Sequence, residues 1–173
     1  MKFIRSVLPI MLISFNGYAL APVSGQLRPA LWCGAASLSA AATKPSPGPR
    51  APVAEVEIRR LLDAQVAAWN RGDLEGYMSG YWNSAELTFF SGTSESAGWK
   101  LMLERYRQHY GSGSRMGRLE FSRIRIETLD EQVALARGQW RLKTANGVQR
   151  KGLFTLMLRR FSEGWRIVHD HSS

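Results

Sequence analysis

The chain is poor in cysteine and histidine, which restricts the chemistry it can perform. Its 173 residues include one cysteine, Cys33, and three histidines. Because no cysteine follows residue 33, disulfide bonds and thiol chemistry are excluded from the rest of the chain. A tetrahedral zinc site needs at least three protein ligands, and His169 and His171 on one strand face supply only two, while His109 lies on a separate predicted helix. We therefore expect no metal and no cofactor.

Acidic residues are absent from the first 50 positions, where a basic start precedes an apolar run. Lys2 and Arg5 are followed by the run 7–15 and by small residues around Ala19 and Ala21, the layout of a secretory signal peptide. A transmembrane anchor is the alternative, but the run is shorter than the ~20 apolar residues that a span needs. The sequence thus predicts an exported protein, periplasmic or secreted, with no stable membrane anchor after cleavage.

Three segments are expected: a signal peptide (1–21), a Pro/Ala-rich linker predicted to be disordered (22–52) and one globular domain (53–173). The cleavage site stays open, because the apolar patch 30–42 offers a second hydrophobic region. The net charge of +9 does not indicate nucleic-acid binding. Five of the 23 basic residues precede residue 51, which leaves 18 basic and 14 acidic side chains, a net of +4, beyond that point. These basic residues are dispersed, so no nucleic-acid partner is predicted.

Hydrophobic periodicity predicts three helices followed by a sheet. Asn70-Arg71-Gly72 ends the first helix and Asp73 caps the second. In the segment 118–128 the apolar phase switches, which predicts a β-bulge and a strong bend. The predicted elements are helices at 53–70, 74–79 and 99–110 and strands at 86–90, 118–128, 133–143, 153–158 and 165–172, with a polar loop or short hairpin at 91–98.

Two strands carry further predictions. Small residues Ala134, Ala136 and Gly138 share one strand face with Trp140, which predicts a hollow closed at one end by an indole. The segment 153–158 is almost continuously apolar, as in a strand that is covered on both faces. Helices can cover one face only, so a partner subunit is expected on the other and a homodimer is predicted.

The chain ends in GWRIVHDHSS (164–173), a predicted strand rich in titratable side chains. Strict alternation divides the residues of this strand between two faces. One face carries Trp165, Ile167, His169 and His171. The other carries Arg166, Val168, Asp170 and Ser172, and on this pattern either face can line the interior.

The resemblance of the chain to a known family lies in the order of its elements, the segment WNRGDLEGYMSGYW (69–82), the helix 99–110 and the end GWRIVHDHSS. In these features the chain resembles the nuclear transport factor 2-like superfamily. This superfamily is also called SnoaL-like or ketosteroid-isomerase-like. The chain is similar to its bacterial branch known as domain of unknown function 4440, and to the association domain of calcium/calmodulin-dependent protein kinase II. The resemblance implies an α+β fold: a cone-shaped, strongly bent antiparallel sheet wrapped around three N-terminal helices, with an internal cavity.

The catalytic residues of these relatives are missing from the matching positions. The isomerase tyrosine falls on Gln65, its general base on Phe89 and its second acid near Leu156, so no proton acceptor is present there. The arginines that line the kinase-domain cavity match Leu156 and Ser172. The resemblance therefore implies the scaffold and not a reaction.

One carboxylate remains as a candidate for chemistry. If the resemblance orients the last strand correctly, Asp170 faces an aromatic cavity, where burial raises the pKa of a carboxyl group. Three functions stay open: binding of a small apolar molecule, a cavity enzyme (isomerase, dehydratase or similar) with Asp170 as general acid or base, and a protein-interaction or oligomerisation module. The candidate ligand-binding residues are Tyr77, Trp82, Phe90, Tyr106, Trp140 and Ser172.

Overall fold

The computed structural model describes residues 51–111, 116–144 and 146–173, except for the side chains of residues 51 and 52. The predicted signal peptide, Cys33 and the linker up to residue 50 lie outside this part of the chain. So do residues 112–115 and residue 145.

The described chain contains the three predicted helices, with a two-stranded hairpin between the second and the third. The first begins two residues earlier than expected, because the first turn of a helix tolerates proline and accommodates Pro52. At its end Gly72 adopts a left-handed φ of 81°. The Gly72 amide donates to the Trp69 carbonyl at 2.9 Å and the Asp73 amide to the Ala68 carbonyl at 2.9 Å, the pair of bonds of a Schellman motif. The helices are α1 (Ala51–Asn70), α2 (Leu74–Met78) and α3 (Trp99–Tyr110).

The Asp73 side chain then caps α2, as predicted. Its carboxylate accepts a hydrogen bond of 2.7 Å from the Gly76 amide. A helix therefore restarts two residues after Gly72, and this tight connection holds α2 beside α1. α2 ends one residue earlier than predicted, because Ser79 serves as its C-cap.

Six strands form one mixed sheet. Its order is β2-β1-β6-β5-β4-β3, with β1 parallel to β6 and the other neighbouring strands antiparallel. The segment 91–98 forms a hairpin, one of the two predicted alternatives. The curled sheet with its helices confirms the predicted α+β cone, although β1 begins at Thr88 and not at Glu86. The strands are β1 (Thr88–Ser91), β2 (Ser94–Ala97), β3 (Arg118–Thr128), β4 (Val133–Lys143), β5 (Gln149–Phe161) and β6 (Gly164–Ser172).

Two irregularities bend the sheet. In β3 the register with β4 shifts between Ser122 and Arg125, and Arg123 has a left-handed φ of 53°, so the predicted bulge is confirmed. The second lies in β6, where Met157 pairs with His169 but Leu158 pairs with Ile167. Val168 is therefore the extra residue of a bulge, and strict alternation along this strand was the wrong prediction.

The bulge redistributes the faces of β6. Trp165 and Ile167 are buried on the same side as Asp170 and Ser172, whereas His171 is exposed. The prediction that Trp165 and Ile167 share a face with the two histidines is thus wrong, because the added residue reverses the phase. The side chain of Asp170 consequently points inward and lies beside the apolar core.

The apolar segment of β5 is covered on one face only in the single chain. Phe154, Leu156 and Leu158 are buried in the core, while Leu153 is 57% exposed and Met157 is 40% exposed. The sequence predicted cover on both faces, and the outer face of this strand is open in the chain as described.

Candidate functional site

Asp170 is the polar centre of the concave face. The bulge at Val168 turns its side chain inward, where only 9% of the residue remains exposed. The Tyr81 hydroxyl donates a hydrogen bond of 2.8 Å to Oδ2, and the Ser172 hydroxyl donates one of 2.8 Å to Oδ1. Both carboxylate oxygens are therefore held in fixed positions.

Burial raises the pKa of Asp170 above its ordinary value, because the charged form loses hydration. The hydrogen bonds from Ser172 and Tyr81 oppose this shift, and so do the electrostatic interactions with His169 and His171. Burial prevails over these effects. A carboxyl group in such surroundings can bind and release a proton closer to neutral pH than an exposed aspartate can.

Tyr81 is brought to Asp170 by a short parallel contact with β6. The Trp82 amide donates to the Ile167 carbonyl at 2.9 Å, and the Ile167 amide donates to the Gly80 carbonyl at 3.0 Å. A Cβ on Gly80 would lie 2.6 Å from the side chain of Gln65, so a larger residue there would have to displace the Gln65 amide. This contact fixes Tyr81 between the helices and the sheet.

Further tyrosines lie behind Tyr81. The hydroxyls of Tyr77 and Tyr81 are 3.3 Å apart, and the Tyr106 ring meets the Tyr77 ring edge to face at a centroid distance of 5.8 Å. Burial raises the pKa of all three phenols, with the negative charge of Asp170 adding to the effect. They are neutral at physiological pH, so each hydroxyl keeps the proton that it can donate in a hydrogen bond.

These groups line a narrow pocket whose free space is about that of one water molecule. Polar atoms lie toward β6, and aromatic rings form the remaining walls. Gln65 on α1 reaches the pocket and donates a hydrogen bond of 3.0 Å to the Tyr77 carbonyl. The lining residues are Gln65, Tyr77, Tyr81, Phe121, Trp140, Phe154, Leu156, Asp170 and Ser172.

The hollow predicted on β4 is partly filled. The Phe154 ring occupies the space over Gly138, with ring atoms 2.5 and 2.8 Å from where a Cβ would lie. It packs against Phe121 at a centroid distance of 5.1 Å. The two phenylalanines close the apolar side of the pocket and narrow it.

Of the residues predicted to form the site, Asp170, Tyr77, Trp140 and Ser172 line this pocket. Tyr106 is buried one layer behind Tyr77. Trp82 and Phe90 are not brought to it. Trp82 stacks on Phe161 at 5.6 Å, and Phe90 is 38% exposed on the opposite face of the sheet. Alternation explains the second outcome, since Phe89 takes the inward position in β1.

Sequence reasoning did not single out Tyr81, Phe121 or Phe154, and it considered Leu156 and Gln65 without assigning them to the pocket. Tyr81 lies beyond the end of α2 and reaches Asp170 through the pairing of this segment with Ile167, so no local spacing marks it. Gln65 and Leu156 occupy positions implied by the isomerase resemblance. Neither can serve as a proton acceptor there.

The two C-terminal histidines lie on the outer face of the sheet beside Phe90. The Phe90 and His169 rings meet at 4.8 Å, and the Thr88 hydroxyl is 2.7 Å from His169 Nδ1. Within residues 51–111, 116–144 and 146–173, no group of three or more His, Cys, Asp or Glu side chains could hold a metal ion. None of the helices in that same part of the chain is long and apolar enough to cross a membrane.

Comparison with known proteins gives one family and many structural relatives. The model of the SnoaL-like domain matches residues 58–173. A crystal structure of an NTF-2 like protein of unknown function from Shewanella oneidensis MR-1 is 37% identical, with a TM-score of 0.66 over 69% of this chain and 98% of that one. No curated protein matches the sequence.

More distant structures share the fold. A nuclear transport factor 2-like superfamily protein from Salmonella enterica serovar Typhimurium LT2 is 20% identical, with a TM-score of 0.59 over 70% of this chain and 91% of that one. A protein from Xanthomonas campestris, provisionally assigned as a calcium/calmodulin dependent protein kinase II association domain, is 17% identical, with a TM-score of 0.53 over 76% and 91% of the two chains.

Proposed function

The chain belongs to the SnoaL-like domain family, and from this premise we propose that its domain binds a small, largely apolar molecule in the pocket around Asp170. The supporting observation is the pairing of a buried, doubly hydrogen-bonded carboxyl group with aromatic walls. A few converging polar groups within an apolar concavity are the usual composition of a small-molecule site. A core packed for stability alone gains nothing from a buried carboxyl group.

The size of the pocket limits the ligand. The free space of the pocket is about that of one water molecule, far below the ~300–1,000 Å³ typical of sites for drug-sized ligands. The proposed ligand is therefore small and displaces Phe121 and Phe154 on entry.

We expect single-ring apolar compounds to raise the melting temperature of the domain by about 5 °C when present at tenfold their Kd. Leu156→Phe fills the pocket and should abolish the shift. Leu158→Phe is the matched control, because this residue is buried on the same strand but does not line the pocket. A broad fragment library with no hit, or equal shifts in the wild type and Leu156→Phe, would count against the proposal.

An enzyme that uses Asp170 as general acid or base is the second candidate. It is supported by the raised pKa of this carboxyl group and by its bond to Tyr81. Compounds that bind would be followed by NMR for chemical conversion. Conversion that survives Asp170→Asn would remove Asp170 from any mechanism, and no conversion of any bound compound would leave binding alone.

Self-association is proposed from the outer face of the sheet. Leu153 and Met157 on β5 and Phe90 on β1 are exposed there, with β6 between the two strands. We expect a homodimer at micromolar concentration in light scattering, and a monomer after Leu153→Glu with Met157→Glu. Leu129→Glu is the control, since Leu129 is 60% exposed in the β3–β4 connection. A monomeric wild type would refute the dimer, and with it the interaction module.

Export to the periplasm or medium is proposed from the basic and apolar start of the sequence. Cell fractionation and N-terminal sequencing of the mature protein test it. A full-length cytoplasmic product would refute this part of the proposal.

A further inference from the structure

Trp140 is held rigidly at the wall of the pocket. It lies in β4 between Phe121 on β3 and Gly152 on β5, and it is 4% exposed. The indole lies against the backbone at Gly152, where a Cβ would be 2.8 Å from Cε2 of Trp140 and 1.7 Å from the carbonyl oxygen of Ser173. Only glycine at position 152 leaves room for the indole in this place.

The indole N–H of Trp140 is buried without a hydrogen-bond partner among the residues that the structure describes. Such a donor costs stability when it is desolvated, and buried polar groups are rarely left unpaired. Other indoles of the domain have acceptors. Trp69 donates to the Met116 carbonyl at 3.2 Å, Trp99 to the Met78 carbonyl at 2.8 Å and Trp165 to the Glu57 carboxylate at 3.1 Å.

Other polar groups of the pocket have hydrogen-bond partners. The Asp170 oxygens accept hydrogen bonds from Tyr81 and Ser172, and the Gln65 amide nitrogen donates to a main-chain carbonyl. Within the described part of the chain, the Trp140 N–H is the donor that lacks a partner at this wall, and a ligand that supplies an acceptor would satisfy it. An anionic acceptor would be repelled by Asp170 in its ionised form, so an uncharged oxygen fits best.

We infer that the Trp140 indole N–H is the hydrogen-bond donor of the ligand site, and that the ligand is a small aromatic molecule with an uncharged oxygen acceptor, such as an aromatic ketone. This inference rests on the proposed small-molecule function and specifies its ligand class. The aromatic ring packs against Phe121, Phe154 and Leu156, and the carbonyl oxygen accepts from Trp140.

The test compares acetophenone with α-methylstyrene, which has the same shape but replaces the carbonyl oxygen with a methylene group. Wild-type protein should bind acetophenone roughly five- to tenfold more tightly, the value of one net hydrogen bond. In Trp140→Phe this ratio should fall to about one. Trp165→Phe removes an indole outside the pocket, so it should retain the wild-type ratio.

A direct readout comes from the indole ¹H–¹⁵N signals of the wild-type protein, with the Trp140 signal assigned by selective labelling. Acetophenone should shift this signal, and α-methylstyrene should shift it much less, even if Trp140→Phe does not fold. The inference would be overturned if the wild type bound both probes equally, or if the ratio of the two affinities were unchanged in Trp140→Phe. It would also be overturned if the Trp140 N–H donated only to a water molecule. None of these results would refute small-molecule binding. Binding of neither probe, with no fragment hit, would refute the proposed function and the inference together.

Discussion

Replacing Trp69 with alanine is expected to lower the free energy of unfolding by about 3–5 kcal/mol. This side chain is 1% exposed, and its ring meets Tyr77 at 5.0 Å and Tyr110 at 4.9 Å, both edge to face. The indole N–H also donates to the Met116 carbonyl. One residue of α1 thus ties together α2, α3 and the segment that leads into β3.

The loss is a large part of the ~5–15 kcal/mol that holds a typical domain folded. Urea unfolding followed by circular dichroism measures it. Trp82→Ala is the matched control, because Trp82 is half-buried and its ring stacks on Phe161 at the edge of the structure. We expect a cost of about 1 kcal/mol there. Equal costs at the two positions would contradict the central role of Trp69.

The helical half of the fold could be predicted from local sequence because its signals are local. Gly72 and Asp73 set the end of α1 and the start of α2 by bonds that span no more than five residues. α3 has the predicted bounds, 99–110, since an aromatic and aliphatic stripe repeats at helical spacing there. These elements need no knowledge of the partner strands.

The two bulges show why the site could be predicted only in part. In β3 the apolar pairs Leu119 with Phe121 and Ile124 with Ile126 reveal both phases, so the switch is visible in the sequence. In β6 the residues after Val168 are polar, so no apolar phase marks the switch there. Its position depends on pairing with β5, which is a non-local property.

Tyr81 was missed for the same reason. It reaches Asp170 because the chain around Gly80 pairs with Ile167, nearly 90 residues further along. Phe154 likewise fills the space over Gly138 on a neighbouring strand. The sequence shows that β4 has a small-residue face, but only the register of β5 decides which side chain occupies it.

Asp170→Asn is expected to make the domain more stable than the wild type at neutral pH, with an advantage that grows as the pH rises from about 4. Burial raises the pKa of Asp170 in the folded state above its unfolded value. Between those two pKa values the native state therefore binds more protons at this site than the unfolded state does. The contribution of Asp170 to stability is complete below the unfolded pKa and is lost as the pH rises through the folded pKa.

The asparagine variant has no such proton to lose. Its amide has the same shape, can accept from the Tyr81 hydroxyl and can donate to the Ser172 oxygen, so the local hydrogen bonds are kept. Urea unfolding of both proteins from pH 4 to pH 8 gives the difference, whose slope cannot exceed about 1.4 kcal/mol per pH unit for one proton. Asp63→Asn, an exposed site on α1, controls for the lost charge.

Parallel stability curves for the wild type and Asp170→Asn would mean that the folded pKa is not raised. If the stability of the wild type instead rose relative to that of the variant with increasing pH, the folded pKa of Asp170 would be lowered. The hydrogen bonds from Tyr81 and Ser172 would then outweigh burial. A variant that is the more stable protein but binds ligand less well would separate the two roles of the residue. Asp170 would then support ligand binding while lowering the stability of the folded domain, as expected for a functional residue rather than one that serves only core packing.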